Sequence, residues 1–169
     1  AQWQEQALGV IEAYNLLGAD AVQPGSTDFA LGAEKFQDLS GKAKFPFISS
    51  NLYWKGNGHH RLFLKDSVLL ERQGKKIGVF GIFGTALPLP SSLEARDPHS
   101  VAKRMVTKLR GQGAEMIIAL THQGHDLDEK LAKSVSGIDL IVGAHSQSLL
   151  QKPYQEGDSL IVQLSNQGQ

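Results

Sequence analysis

Two apolar segments, each followed by a polar loop that carries a histidine, constrain the fold of this chain more than any other feature. Residues 115–120 lead into a loop with His122, and residues 137–142 lead into a loop with His145. A short apolar run that ends in a glycine-containing polar loop is typical of a buried strand. Residues 127–135 place leucine, alanine and valine at helical spacing between the two runs. The order strand–helix–strand predicts two parallel strands.

The carboxyl ends of two neighbouring parallel strands lie at one edge of a sheet, about 4.8 Å apart. His122 and His145 would leave that same edge, which is where ligands bind in open α/β sheets. We therefore expect their rings to lie within about 10 Å of each other. Their position alone leaves two interpretations open, because they are either metal ligands or ordinary polar residues of two loops.

Composition narrows the classes of partner. The chain has 169 residues, a length that suits one domain. Its 17 basic and 17 acidic residues cancel, so we expect no nucleic-acid polymer as a partner. No apolar run approaches the ~18 residues of a membrane span, and we expect neither a membrane partner nor a signal peptide at the polar start of the sequence. Cysteine is absent, so any metal would be bound by His, Asp, Glu, Asn or Gln.

Alternating strand and helix patterns predict a layered α/β fold, with a β-sheet core flanked by helices. The predicted helices are residues 7–17, part of 32–44, a helix begun by Asp97 and Pro98, and one begun by Asp126; Asp128 lies in the first turn of the last helix, where its charge is favourable to the helix dipole. The predicted strands are 20–22, 47–50, 67–72, 76–83, 115–120, 137–142 and 159–164, and residues 73–75 are predicted to join 67–72 and 76–83 as a hairpin. Residues 53–61 and 85–97 are predicted to be irregular loops. Because the sequence begins inside a helical pattern and ends after a strand, we expect an incomplete domain.

Five segments carry a resemblance to a known family. They are residues 17–32, 45–51, 71–84, 119–124 and 137–148. Their order and motifs resemble the calcineurin-like metallophosphoesterases, specifically the 5′-nucleotidase branch. The first segment is similar to that branch's Gly-Asn-His-Glu-Phe-Asp region, and the third to its Gly-x-Lys-Ile-Gly-Val-x-Gly strand pair. The last two are similar to its His-x-Gly loop and its Gly-Ile-Asp-Leu-Ile-Val-Gly-Gly-His-Ser-His segment.

The resemblance implies a two-metal phosphoester hydrolase, in which metals polarise the phosphoryl oxygens and generate a hydroxide nucleophile. Matched position by position, His122 and His145 correspond to metal-ligating histidines of the family. Ser26 stands where the family has a metal-binding asparagine, and Thr27 where it has the catalytic histidine. Gln147 stands where the family has the second histidine of its Gly-His-x-His pair.

These substitutions weaken the expected chemistry. Serine binds metals weakly, threonine does not act as an acid near neutral pH, and glutamine is a poor exchange for imidazole. In the family, the Asp-x-His and Gly-Asp motifs that supply the bridging carboxylate precede the matched region. We therefore expect residues 1–169 to form a single metallophosphoesterase-like domain that lacks its first strands, and we assign no catalytic residue.

The sequence thus predicts part of a metal-dependent phosphoric monoester hydrolase of the 5′-nucleotidase type, with little or no activity by itself. Its partner would be a small phosphorylated molecule such as a nucleotide. Its cofactor would be a divalent metal (manganese, zinc, iron or magnesium), unless this part of the chain binds none. The alternative is a degenerate relative that binds a ligand or a partner without hydrolysis. The resemblance implies a periplasmic or secreted protein, and the oligomeric state is left open.

Overall fold

The computed structural model describes residues 2–56, 61–146 and 150–163. The helices in these ranges are α1 (Gln2–Leu17), α2 (Ala33–Ser40), α3 (Pro98–Gly111) and α4 (His125–Ser134), and a 3₁₀ turn spans Ser26–Phe29. The strands are β1 (Leu52–Trp54), β2 (Ser67–Arg72), β3 (Lys75–Phe83), β4 (Leu93–Ala95), β5 (Met116–His122), β6 (Leu140–Ala144), β7 (Tyr154–Glu156) and β8 (Ser159–Gln163). None of the helices described is long and apolar enough to span a bilayer.

Six of these strands form a central sheet in the order β2-β3-β5-β6-β8-β7. Strands β3, β5, β6 and β8 are parallel, whereas β2 and β7 pair antiparallel at the two edges. The predicted β2–β3 hairpin and the predicted parallel strands on either side of α4 are therefore confirmed. Strand β7 is missing from the sequence prediction because three exposed or half-exposed residues give no apolar pattern.

Helices α3 and α4 cover one face of the sheet and hold β5 and β6 in place. The side chains buried in this layer include Phe80, Ile82, Met105, Leu109, Ile117, Leu131, Ile138 and Ile141. The Asp97 carboxylate accepts a hydrogen bond from the Ser100 backbone N–H at 2.8 Å, which confirms the predicted start of α3. On the opposite face Ile48 packs against the sheet, but Val142 of β6 remains 38% exposed. The predicted α/β class, with a sheet flanked by helices, is confirmed.

Two predicted loops contain a short second sheet, so those predictions are wrong in part. Strand β1 overlaps the predicted loop 53–61 at Tyr53 and Trp54 and pairs antiparallel with β4, with Tyr53 opposite Glu94. Leu52 and Leu93 are buried, and this long-range contact supplies stability that the local sequence pattern does not encode. The predicted strand at residues 20–22 is reduced to one bridge, between Val22 and Phe47.

Candidate metal-binding site

The two histidines lie side by side at the carboxyl ends of β5 and β6. The strands pair in parallel with His122 opposite Ala144, one residue before His145. The ring centroids of the two histidines are 5.0 Å apart, in an edge-to-face arrangement. The Gly124 backbone N–H also donates to the Ala144 carbonyl at 3.0 Å, which joins the two loops. The predicted convergence of the two side chains is confirmed, and their role as metal ligands stays a prediction.

His145 has an unfavourable backbone conformation for a residue with a side chain. Its φ angle is 89°, a region that favours glycine. A non-glycine residue held there costs about 1–3 kcal/mol, and such strain is concentrated at binding and catalytic sites. The conformation therefore supports a functional interpretation of the imidazole at this position.

Replacing His145 with glycine is expected to stabilise the chain. The variant His145→Gly relieves the strain of the positive φ angle, so its free energy of unfolding should rise by about 1 kcal/mol in urea titrations. The variant His145→Ala is the matched control, because it removes the same imidazole and keeps the strain. Equal stabilities of the two variants would show that the backbone at this position is not strained.

The 3₁₀ turn brings Ser26 against the His122 ring. The Ser26 backbone N–H donates to His122 Nε2 at 3.2 Å, and the Ser26 hydroxyl lies 3.4 Å from the same nitrogen. Gly25 is needed for this approach, because a Cβ there would lie 2.9 Å from the imidazole. The imidazole also packs near Phe83, with ring centroids 5.5 Å apart. The predicted site position Ser26 therefore meets His122 in space.

Burial keeps the His122 imidazole neutral. Desolvation is the main cause, and repulsion from the nearby His145 is the second, and together they lower the pKa of His122 to about 4. Metal ions bind the neutral form of imidazole, so no proton has to leave this ring near neutral pH before an ion binds. The Ser26 N–H occupies the Nε2 lone pair, however, and an ion at that nitrogen would have to displace it.

Thr27 is exposed and lines a groove between α1 and the segment formed by the 3₁₀ turn and α2. Neither of the two histidines contributes to that groove. Asp28 accepts a hydrogen bond from the Gly25 backbone N–H at 2.7 Å and so supports the turn. The third substituted position, Gln147, lies outside the described residues, as do His59 and His60.

The donor set fits one loosely held ion and does not fit a two-metal centre. Within residues 2–56, 61–146 and 150–163, no three side chains of His, Cys, Asp or Glu converge to hold a metal. His122 and His145 remain as a pair of imidazole donors, with a serine beside one of them. Two adjacent cations would also repel each other without a carboxylate between them.

Sequence reasoning missed a polar layer that lies behind the two histidines. Asp128 was expected in the first turn of a helix, in favourable interaction with the helix dipole, but its side chain is fully buried. It accepts a hydrogen bond at 2.9 Å from Nε2 of Gln123, the residue after His122. The spacing of Asp128 from Leu131, Ala132 and Val135 would have revealed it, because residues three, four and seven apart share one helix face.

Comparison with known proteins shows clear relatives, although no protein-family model matches the chain. Mouse 5′-nucleotidase is 34% identical over 153 residues, which are 86% of this chain and 26% of the mouse protein. The calcineurin-like phosphoesterase YfkN from Bacillus subtilis matches 98% of this chain and 61% of its own, with a TM-score of 0.83 and 19% identity. The chain belongs to the calcineurin-like metallophosphoesterases, in their 5′-nucleotidase branch.

A further member of this structural group is the sulfate thiohydrolase SoxB from Thermus thermophilus. It matches 94% of the chain and 30% of its own length, with a TM-score of 0.85 and 25% identity. The chain thus spans about a quarter to a third of the mouse protein and of SoxB. These likenesses place it in a family of phosphoester hydrolases and confirm the resemblance found in the sequence.

Proposed function

We propose that this chain is part of a metal-dependent phosphoric monoester hydrolase domain of the 5′-nucleotidase type, in which His122 and His145 hold one divalent ion. The observation that carries the proposal is the convergence of the two imidazoles, with centroids 5.0 Å apart at the carboxyl edge of the sheet. The strained backbone of His145 and the neutral state of His122 support it independently.

The substrate we propose is a nucleotide or a similar small phosphate monoester. The support is the name of the mouse relative, a 5′-nucleotidase, together with its 34% identity. The same relationship supports treating residues 1–169 as one metallophosphoesterase-like domain. A periplasmic or secreted location is part of this proposal and rests on family membership.

His122 and His145 would hold the ion, which would supply Lewis acidity toward a phosphoryl oxygen. The chain's own residues would orient it: α4 and the β5–β6 pair fix the two loops, and the 3₁₀ turn places Ser26 beside His122. Two imidazoles and a hydroxyl oxygen give a weak set of ligands, and the Ser26 N–H competes for Nε2 of His122. We therefore propose weak binding of a single ion.

A non-catalytic ligand- or partner-binding role is the second candidate. Two observations favour it. The Nε2 of His122 already accepts the Ser26 N–H, and the exposed Thr27 offers no acidic proton for a leaving group. In this interpretation the histidine pair is retained from an enzymatic relative, and no ion is needed for function.

Calorimetric titration with Mn²⁺ tests the first proposal. The wild-type chain should bind one equivalent, and His122→Ala and His145→Ala should each weaken that binding by tenfold or more, since each removes one of about two protein ligands, worth at least ~1.4 kcal/mol. His99→Ala is the control, because His99 lies on α3 and bonds Ser134 at the far end of α4. If both site variants bind Mn²⁺ as tightly as the wild type, the histidine pair is not the site, and the second candidate is favoured.

A further inference from the structure

A buried polar layer connects the loops that carry the two histidines. On the β5 side, Gln123 donates from Nε2 to Oδ1 of Asp128 at 2.9 Å. On the β6 side, Ser146 follows His145, and its hydroxyl oxygen accepts from the His125 backbone N–H at 3.0 Å. Gln163 at the end of β8 donates from its amide nitrogen to the Ser146 hydroxyl oxygen at 2.6 Å and to the Ser146 carbonyl. Each histidine is therefore one residue away from this layer.

Two oxygens of the layer approach the same space beside Gly143, and neither has a hydrogen-bond donor in the described part of the chain. Because the Gln163 amide nitrogen points to a carbonyl, its Oε1 points the other way, toward Gly143. A Cβ on Gly143 would lie 3.2 Å from that Oε1 and would overlap Oδ2 of Asp128. Both oxygens are buried and have no hydrogen-bond partner in the described part of the chain. Two acceptors that lack a donor are costly when buried.

The two acceptor oxygens, Oδ2 of Asp128 and Oε1 of Gln163, have one donor hydrogen fewer than they need. The Thr121 hydroxyl lies close enough to Asp128 to lower the pKa of its carboxyl, without the geometry of a full hydrogen bond. That hydroxyl carries one hydrogen, which it can donate to only one of the two oxygens. Thr121, Gly143 and Gln163 are adjacent in the register of β5, β6 and β8, so all three line the same narrow space. A proton on the Asp128 carboxyl supplies the missing donor.

We infer that Asp128 is a positioning residue, which holds a proton in the folded chain at mildly acidic pH and donates it to Oε1 of Gln163, so that the loops carrying His122 and His145 are fixed to each other. The acid makes no hydrogen bond to either histidine and acts through Gln123 on one side and through Gln163 and Ser146 on the other. The inference deepens the proposed function, because the fixed loops would define the distance between the two metal-binding rings.

The surroundings of the carboxyl agree with a retained proton. Desolvation by burial raises the pKa of Asp128 to about 6, against the opposing effects of Gln123, Thr121 and His125. His125 is the titratable group that acts on the carboxyl, and it lies on the same helix. The other residues beside the carboxyl are Thr121 and Gln123 on the β5 side, Gly143 of β6 and Gln163 of β8, and none of these residues titrates.

Carbon-13 NMR titration of the aspartate carboxyls in the full chain tests the proton directly. The Asp128 carboxyl signal should titrate with a midpoint at about 6, well above the ordinary 3.8. A midpoint at or below the ordinary value would overturn the inference, because the carboxyl would then be ionised and a water or a cation would have to lie between the two oxygens. This measurement needs no variant and does not depend on metal binding.

Mn²⁺ affinity at mildly acidic pH tests the positioning role, and this second arm rests on the proposed function. Asp128→Ala should weaken binding by about 10–100-fold, the usual effect of losing a residue that orients ligands. Asp128→Asn should stay within about threefold of the wild type, because its amide donates to Gln163 and its oxygen accepts from Gln123. Asp126→Asn, at an exposed position of the same helix, is the control.

Failure of the positioning role and failure of the proposed function give different results. If Asp128→Asn loses as much affinity as Asp128→Ala, or if Asp128→Ala loses none, the positioning role is wrong. If the wild-type chain binds no Mn²⁺ at all, the proposed function is wrong, and the carboxyl titration alone decides whether Asp128 holds the proton.

Discussion

Hydrolysis of a chromogenic phosphate monoester by this chain, with Mn²⁺ added, is expected to be at least ~100-fold slower than the ~1 s⁻¹ or more that is ordinary for enzymes. Two observations lead to this expectation. No third His, Cys, Asp or Glu side chain joins His122 and His145 among the residues that the structure describes. The sequence resemblance sets Thr27 at the position of the family's catalytic histidine, and the loss of a general acid typically costs ~10²–10⁴-fold.

The controls separate weak activity of this site from contamination. The double variant His122→Ala and His145→Ala should remove whatever rate the wild type shows, and His99→Ala should leave it unchanged. Thr27→His tests whether an imidazole at that position is sufficient, and we expect at most a small gain, because Thr27 lines a groove to which the histidine pair does not contribute. A wild-type rate of ~1 s⁻¹ or more that the double variant abolishes would show that the described residues suffice for catalysis.

The stability of the wild-type chain relative to Asp128→Asn is expected to fall as the pH rises from about 4 to about 6. The pKa of Asp128 is raised in the folded chain, from 3.8 to about 6, so the folded state holds the proton more tightly than the unfolded state. The stabilisation by that proton is complete below the unfolded pKa and is lost as the pH passes through the folded pKa. Two pKa units correspond to roughly 3 kcal/mol at most, so Asp128→Asn should be the more stable protein at neutral pH by up to that amount.

Urea denaturation of both proteins across this pH range measures the difference. The comparison matters because the lowered pKa of His122 acts in the opposite direction, so that the wild-type curve by itself is the sum of two effects. Asp126→Asn, on the same helix, controls for the loss of an aspartate from α4. A difference between wild type and Asp128→Asn that stays constant from acidic to neutral pH would contradict the raised pKa.

Local patterns were sufficient to predict the elements that bring the site together. The runs before His122 and His145 are apolar and short, and the segment between them has helical spacing. A strand–helix–strand unit with a right-handed crossover favours adjacent parallel strands. The pair β1 and β4 was missed because its strands are three residues long and lie about forty residues apart, so their stability comes from a contact that no local window contains.

The polar layer was missed for a different reason. Asp128 was interpreted through its charge, as a residue favourable at a helix start, whereas its position on the apolar face of α4 decides its environment. The close approach of other side chains to Gly143 could not be predicted from the sequence either. The space above this glycine is filled by side chains from α4 and β8, which are distant along the chain.

Pulsed electron paramagnetic resonance of the Mn²⁺-loaded chain tests the central claim most directly, because it detects the nitrogen nuclei bound to the ion. We predict coupling to two imidazole nitrogens in the wild type, to one in His122→Ala or His145→Ala, and to none in the double variant. Coupling that is absent from the wild type, or that survives unchanged in the double variant, would contradict the assignment of His122 and His145 as the metal-binding pair.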